Sequence, residues 1–517
     1  MRPGNDSRMQ KSLIDTRLSL FQNTMTHPNP STNRLPGFSR RQAITAAAGA
    51  TLTLAGHHFA HADDPQDGAS YASNRPPIDQ RKFTSPSVEA TITKVKADIA
   101  DEQLGWLFEN CYPNTLDTTV DYEEVDGEPD AFIITGDIDA MWLRDSTAQV
   151  WPYLPYMKSD KQLTRLVRGL IHRQNLCILL DPYANAFYKD LTQPSHWASD
   201  RPSPIPGVHE RKWEIDSLCY PIRLANAYFE RTGDSSIFNE EWQTAMHLVV
   251  KTFRTEQRKD GTTPYRFVRE TSRMLDAPPF DGTGRPINPV GLIVSGFRPS
   301  DDSTLYPFLI PSNLFAIQSL RQLAKISSAQ VNDQEFAAEC TSLADEVQTA
   351  IDKYAVAEHM DYGQIYAYEV DGFGNAAFWD DANVPSLMSL AYLGIHQPHD
   401  PLYQRTRRFL LSQHNPYYLQ GSAASGQASP HTGKDAIWPM GIILRALSST
   451  SPEEILECVT MLRNTHAGTG FMHESFNKDN PADYSRDWFA WANTLFGELI
   501  VKIHHQHPEI LSHRFSD

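Results

Sequence analysis

Five stretches of this 517-residue chain gather Trp, Asp, Arg, Asn, Gly and His more densely than helix surfaces do. The first two run from Gly136 to Ser146 (GDIDAMWLRDS) and from Trp213 to Pro221 (WEIDSLCYP). The third runs from Ser295 to Asp302 (SGFRPSDD), and the fourth joins Tyr366–Asp371 to Trp379–Ser386 (WDDANVPS). The last combines Ser429-Pro430-His431 and Trp438 with Met472–Phe476 (MHESF) and Arg486–Asn493 (RDWFAWAN). Six of the ten tryptophans fall in them: Trp142, Trp213, Trp379, Trp438, Trp488 and Trp491. An indole face is an apolar platform that suits the C–H face of a sugar, and its edge supplies one N–H donor. Carboxylates, Asn and Arg add directed hydrogen bonds to hydroxyls. Such a pocket suits a neutral, polyhydroxylated ligand. Any one tryptophan reads equally well as core; the joint clustering with Asp and Arg carries the functional reading.

Other catalytic plans lack their motifs. There is no GxSxG, no GxxxxGK[ST], no GxGxxG between a strand and a helix, and no HExxH. His473-Glu474 and Asp380-Asp381 lack a second ligand pair at a useful spacing, so neither a metal nor another cofactor is expected. Isolated carboxylates among aromatics remain. That is the plan of glycoside hydrolysis, with one carboxyl kept protonated and one ionised. Asp216 lies between Ile215 and Ser217, two residues after Glu214, where burial and a neighbouring carboxylate would both raise its pKa. Its place before Ser217-Leu218 also fits a helix N-cap. Glu474 lies far along the chain and reaches the same pocket only if the chain closes on itself. Composition alone does not separate these two from Asp137, Asp139, Asp145, Asp301, Asp371 or Asp381.

Apolar residues at helical spacing supply the elements that must hold these stretches. Stripes run through Leu163–Ile171, Leu218–Phe229 (stopped by Gly233), Trp242–Phe253, Leu314–Leu323, Phe336–Ile351, Ile437–Leu447, Ile455–Leu462 and Phe489–Ile503. Strand-like segments are short: Ala131–Thr135, and Ile365–Val370 entering the turn Asp371–Gly374. No repeat or Gly/Ser linker divides residues 85–510. Twelve helices with their loops fit that length at about 36 residues each, natural for a barrel of paired helices. Before it, Arg40-Arg41, the mild apolar run Ile44–Gly56 and Ala60-His61-Ala62 read as a twin-arginine export signal, removed after residue 62. Residues 63–88 are expected to be an extended segment and 89–510 the catalytic domain. The five cysteines are widely spaced without CxxC, which suits buried thiols rather than a disulfide framework.

The runs TGDIDAMWLRDSTAQVWPYLPY, EIDSLCYP, SGFRPSDDSTLYPFLIPSN, YAYEVDGFGN, DDANVPSL, SPHTG, IWPM and MHESFNKDNPADYSRDWFAWANTLFGELI together resemble glycoside hydrolase family 125, over roughly residues 90–505. The resemblance implies an all-α-dominated (α/α)6 barrel of six helix pairs with short β-hairpins in the connecting loops. It implies an exo-acting, metal-independent, inverting α-mannosidase that favours α-1,6 links. Asp216 in EIDS then matches the general acid and Glu474 in MHES the general base. Arg144, Asp145, Asn383, His431 and Arg486, together with Asp137, Asp139, Trp142, Arg298, Asp301 and Trp488, would line the site for the terminal mannose. The expected partner is a mannose-containing oligosaccharide or N-glycan, met by a periplasmic or secreted monomer. Two other readings compete: another inverting glycosidase or a polysaccharide lyase on the same barrel, and a non-catalytic mannoside-binding protein. The 46 basic and 63 acidic residues give a formal charge of −17, which disfavours nucleic acid, and no apolar run is long enough to span a membrane.

Overall fold

The computed structural model describes residues 71–515, so the expected export signal lies outside the described residues. The chain enters through mostly irregular residues 71–85 and then forms twelve α-helices of eight residues or more. They are α1 (Pro86–Ala97), α2 (Glu102–Cys111), α3 (Leu143–Val150), α4 (Lys161–Leu180), α5 (Ile215–Thr232) and α6 (Glu240–Glu256). The second half adds α7 (Ile310–Ile326), α8 (Gln334–Tyr354), α9 (Pro401–Leu410), α10 (Pro439–Leu447), α11 (Pro452–Asn464) and α12 (Ala490–Gln506). All eight stripes lie mainly or wholly on these helices. Gly233 ends α5 in the left-handed conformation (φ 72°), where glycine carries no Cβ penalty.

The helices form an (α/α)6 barrel. α3 packs on α5, α5 on α7, α10 on α12, and α12 back on α3. Between α7 and α10 the inner ring holds no α-helix. A short 3₁₀ turn, Met388–Leu390, stands there, packed against α9 and α10. The Gln318 amide of α7 closes that side by donating to the Leu393 carbonyl at 3.0 Å. Outside this ring lie α2, α4, α6, α8, α9 and α11, while α1 precedes the first pair.

The two rings begin their helices differently. Every outer helix has a side-chain N-cap: Asp101, Asp160, Asn239, Asp333, Asp400 and Ser451 each accept from a backbone N–H of the first turn. The five inner α-helices follow Trp142, Glu214, Leu309, Trp438 and Phe489, none of which makes a side-chain cap. Their N-terminal turns carry or adjoin the motif residues.

The strands are short and pair in six small sheets of two or three. β1 (Val120–Val125) and β2 (Glu128–Ile133) form a hairpin against α4; β3 (Ser475–Asn477) pairs with β4 (Tyr484–Ser485). The two ends of the barrel meet. Ala100 N–H donates to the Leu511 carbonyl at 2.8 Å, and Arg463 pairs with Asp101. Gly497 lets α12 approach α2, because a Cβ there would collide with the Tyr112 ring. All five cysteines are free and buried. Among the described residues no helix is long and apolar enough to cross a membrane.

Candidate active site

Arg144, in the first turn of α3, is 3% exposed and meets four carboxylates. Nη1 donates to Glu214 Oε2 at 2.6 Å and to Asp216 Oδ2 at 3.2 Å. Nη2 donates to Asp301 Oδ1 at 3.3 Å, and Nε lies 3.4 Å from Asp145 Oδ2. One guanidinium cannot balance four negative charges, three of them buried, so proton uptake by some of them is the alternative. Burial pushes Glu214 well above the usual carboxylate range despite Arg144, and pushes Asp216 up to about 6. Burial raises Asp145 as well, against Arg144 and the Thr135 hydroxyl, which donates at 2.6 Å. Burial acts in the same direction on Asp301, but Arg144 and Lys212 outweigh it and hold this carboxyl well below its ordinary value. Their surroundings therefore push the pKa values of the four groups apart, the separation that acid–base work needs.

Asp216 is not an N-cap. It is the second residue of α5, fully buried, and its other oxygen accepts from Ser312 Oγ at the start of α7 (3.3 Å). The open side of the cluster is Asp301, whose side chain is 23% exposed and which also accepts from Asn185 Nδ2 (3.1 Å).

Glu474 stands immediately before β3. The register pairs Ser475 with Ser485, which brings Ser485 Oγ to Glu474 Oε2 (3.1 Å) and Arg486 Nη1 to Oε1 (3.3 Å). Arg486, at a positive φ of 57°, also grips Asp137. His473 is fixed beneath the hairpin, stacked on Tyr484 and bonded to the carbonyls of Arg486 and His466. The charge of Arg486 lowers Asp145 in the first cluster, so the two groups are electrostatic neighbours. His431 links them further. It bonds Asp302 through Nδ1 (3.0 Å). Burial disfavours its charged form, but Asp302, Glu474 and Asp301 together outweigh burial and raise its pKa.

The remaining expected site residues have other partners. Asn383 donates to Asp381 Oδ1 (3.0 Å), whose second oxygen accepts from Ser300 and Ser429. The Arg298 guanidinium bonds Glu369 (2.8 Å) and lies over Trp379, while its carbonyl accepts from the Asp301 N–H (2.9 Å). Asp139 is exposed in the Asp137 turn and makes no side-chain hydrogen bond or ion pair among the described residues. Trp488 is half-buried against Gly136, which has a φ of +126° and whose missing side chain leaves the indole its space.

Arg144, Asp145 and Asp216 occupy first helical turns. Of the six indoles, five are buried, Trp142 among them, and Trp213 and Trp438 use their N–H on Val294 and Thr432, as core residues do. The N–H of Trp142 has no partner among the described residues. Asp371 organises its own turn by accepting from Phe373 and Asn375. The weight that Glu214 carries beside Arg144, and Asp302 beneath His431, was not signalled by spacing. Among the described residues no group of three or more His, Cys, Asp or Glu could hold a metal ion.

The family profile "Metal-independent alpha-mannosidase (GH125)" matches residues 101–501. The meiotically up-regulated gene 157 protein of Schizosaccharomyces pombe is 40% identical over 455 residues, 84% of this chain and 89% of its own. A Streptococcus pneumoniae metal-independent α-mannosidase, solved in a non-productive complex with α-1,6-mannobiose, is 41% identical with a TM-score of 0.78. That match covers 82% of this chain and all of the other.

Proposed function

Because the chain belongs to glycoside hydrolase family 125, the metal-independent α-mannosidases, we propose that it removes terminal α-1,6-linked mannose from glycans with inversion of the anomeric centre. The observation that carries this reading is the contrast between two carboxyls. Asp216 is buried against Arg144 with its pKa near 6, and Glu474 is held by Ser485 and Arg486 on a hairpin from the far end of the chain. Asp216 protonates the glycosidic oxygen, which approaches from the exposed Asp301 side. Glu474 takes a proton from a water on the opposite face of the sugar. The water attacks through an oxocarbenium-like transition state and β-mannose leaves. Arg144, Asp145, Asn383, His431 and Arg486 orient the terminal mannose. The α-1,6 preference draws support from the mannobiose bound by the 41% identical relative.

The test is α-1,6-mannobiose followed by proton NMR. β-Mannose is expected first, with the α-anomer growing only by mutarotation. Asp216→Asn and Glu474→Gln should each lose turnover at unchanged melting temperature. Initial α-mannose, or near-wild-type turnover in either variant, refutes the assignment. A complex with intact substrate should place the two carboxyls roughly 6.5–9.5 Å apart, leaving room for the water.

Residues 1–62 are proposed to direct twin-arginine export, which accepts already folded proteins and accords with five free, buried cysteines. Replacing Arg40 and Arg41 by Lys should hold the protein in the cytoplasm on fractionation.

A further inference from the structure

A cavity of about 400 Å³ opens between α5, α7 and residues 394–396, beside the place where the inner ring has only its 3₁₀ turn. It lies away from the catalytic residues. Asn226 is ten residues along α5 from Asp216, and Gln322 is ten residues along α7 from Ser312. At 1.5 Å per residue, about 15 Å of helix separates each from the acid. The volume falls within the usual range of small-molecule sites, roughly 300–1,000 Å³.

Its polar lining is incompletely satisfied. Gln318 donates to the Leu393 carbonyl, which fixes its amide so that Oε1 faces elsewhere; that oxygen is buried without a partner among the described residues. Gln322 Oε1 is also buried and without a partner among the described residues. Asn226 is 7% exposed and makes no side-chain hydrogen bond among the described residues. Buried acceptors without donors cost free energy that a hydroxyl can recover. They would repel an anion, while Glu230 and Lys325, paired at 3.7 Å on the same rim, offset each other's charge. Arg321 in turn disfavours a cation. Leu314, Ile317 and Ile395 supply an apolar wall for C–H groups. A neutral ring bearing several hydroxyls answers all of these features.

We propose that this cavity is a second, non-catalytic binding site for a hexose unit, which holds a branched or polymeric glycan while its end is processed in the barrel mouth. Tethering of this kind raises the effective concentration of the next chain end without new contacts in the catalytic site.

D-mannose titrated into the full-length protein by calorimetry, with crystals soaked in parallel, tests the proposal. The expected result is two sites in the wild type, with sugar density beside Gln322. Gln322→Leu should leave one site, or weaken the second by at least about tenfold, while kcat/KM on α-1,6-mannobiose is unchanged. Asn226→Leu is an independent variant that should do the same if Gln322→Leu does not fold. A single site in the wild type, or a second site indifferent to both variants, overturns the proposal. So does a cavity that takes sulfate in an Arg321-dependent manner and excludes mannose. The soak locates sugar whether or not the protein cleaves mannobiose, so failure of the catalytic reading and failure of this one are separable.

Discussion

At the residue scale, Arg144 sets the electrostatics of the site. Opposite charges about 4 Å apart interact by about 4 kcal/mol at an effective dielectric of 20, so losing this guanidinium outweighs any single hydrogen bond nearby. Asp216, the proposed general acid, has a pKa near 6 and must be protonated to act in that role. The expected pH profile of kcat/KM is therefore flat below about 6 on its alkaline limb and falls tenfold per unit above it. Asp216→Asn should abolish turnover at every pH. Arg144→Met strands buried carboxylates, at a cost of about 3–5 kcal/mol. Protonation relieves them, so its loss of melting temperature should be larger at pH 8 than at pH 5; an equal loss at both would show that the cluster is not ionic. The candidacy of Asp216 and Glu474 was legible in the local runs EIDS and MHES through the family resemblance, not from composition. Glu214's role beside Arg144 was not, nor was that of Asp302 beneath His431, 129 residues away. Those roles arise only when distant segments converge.

At the element scale, capping separates stability from function. The outer helices spend their N-cap side chains on their own backbones. The inner ones have no N-cap side-chain bond; Ile215 N–H, Leu143 N–H and Ile310 N–H are met instead from other segments, by Ser295 Oγ and the carbonyls of Asn185 and Tyr368. Asn239→Ala on α6 should cost about 1 kcal/mol of stability, read by denaturant titration, without touching kcat. The sixth inner position has its own device. Asp380 accepts from the Leu387 and Met388 N–H groups and from Gln427, ahead of the 3₁₀ turn. Burial lifts its pKa from 3.8 to about 7. A carboxyl raised in the folded state favours folding fully below its unfolded pKa, and that gain is lost as pH rises from about 4 through 7. Asp380→Asn, neutral throughout, loses one acceptor. It should melt below wild type at pH 4, with the gap narrowing by pH 8; a gap independent of pH would place the proton elsewhere.

At the scale of the whole molecule, periodicity revealed eight of the twelve helices and missed α1, α2, α3 and α9. The failure at α3 has a physical cause. Every residue from Leu143 to Val150 is buried, including Arg144, Asp145, Ser146, Thr147 and Gln149, so no apolar stripe stands against a wet face. The 3₁₀ turn was invisible because barrel closure there rests on Gln318 and Asp380, not on an apolar pattern. The charge also reads differently by region. Residues 1–62 hold seven basic and two acidic residues, so the rest of the chain carries −22, partly gathered around Arg144.

The contact of Ala100 with Leu511, with Arg463 on Asp101, makes the barrel a closed ring whose starting point is arbitrary. A covalent bridge between those two ends and a new opening elsewhere would preserve the inner and outer helix contacts. The exposed turn at residues 259–261 is a suitable opening, distant in sequence from every catalytic motif. Such a circular permutant should fold, and should cleave mannosides at a rate comparable to that of the original chain.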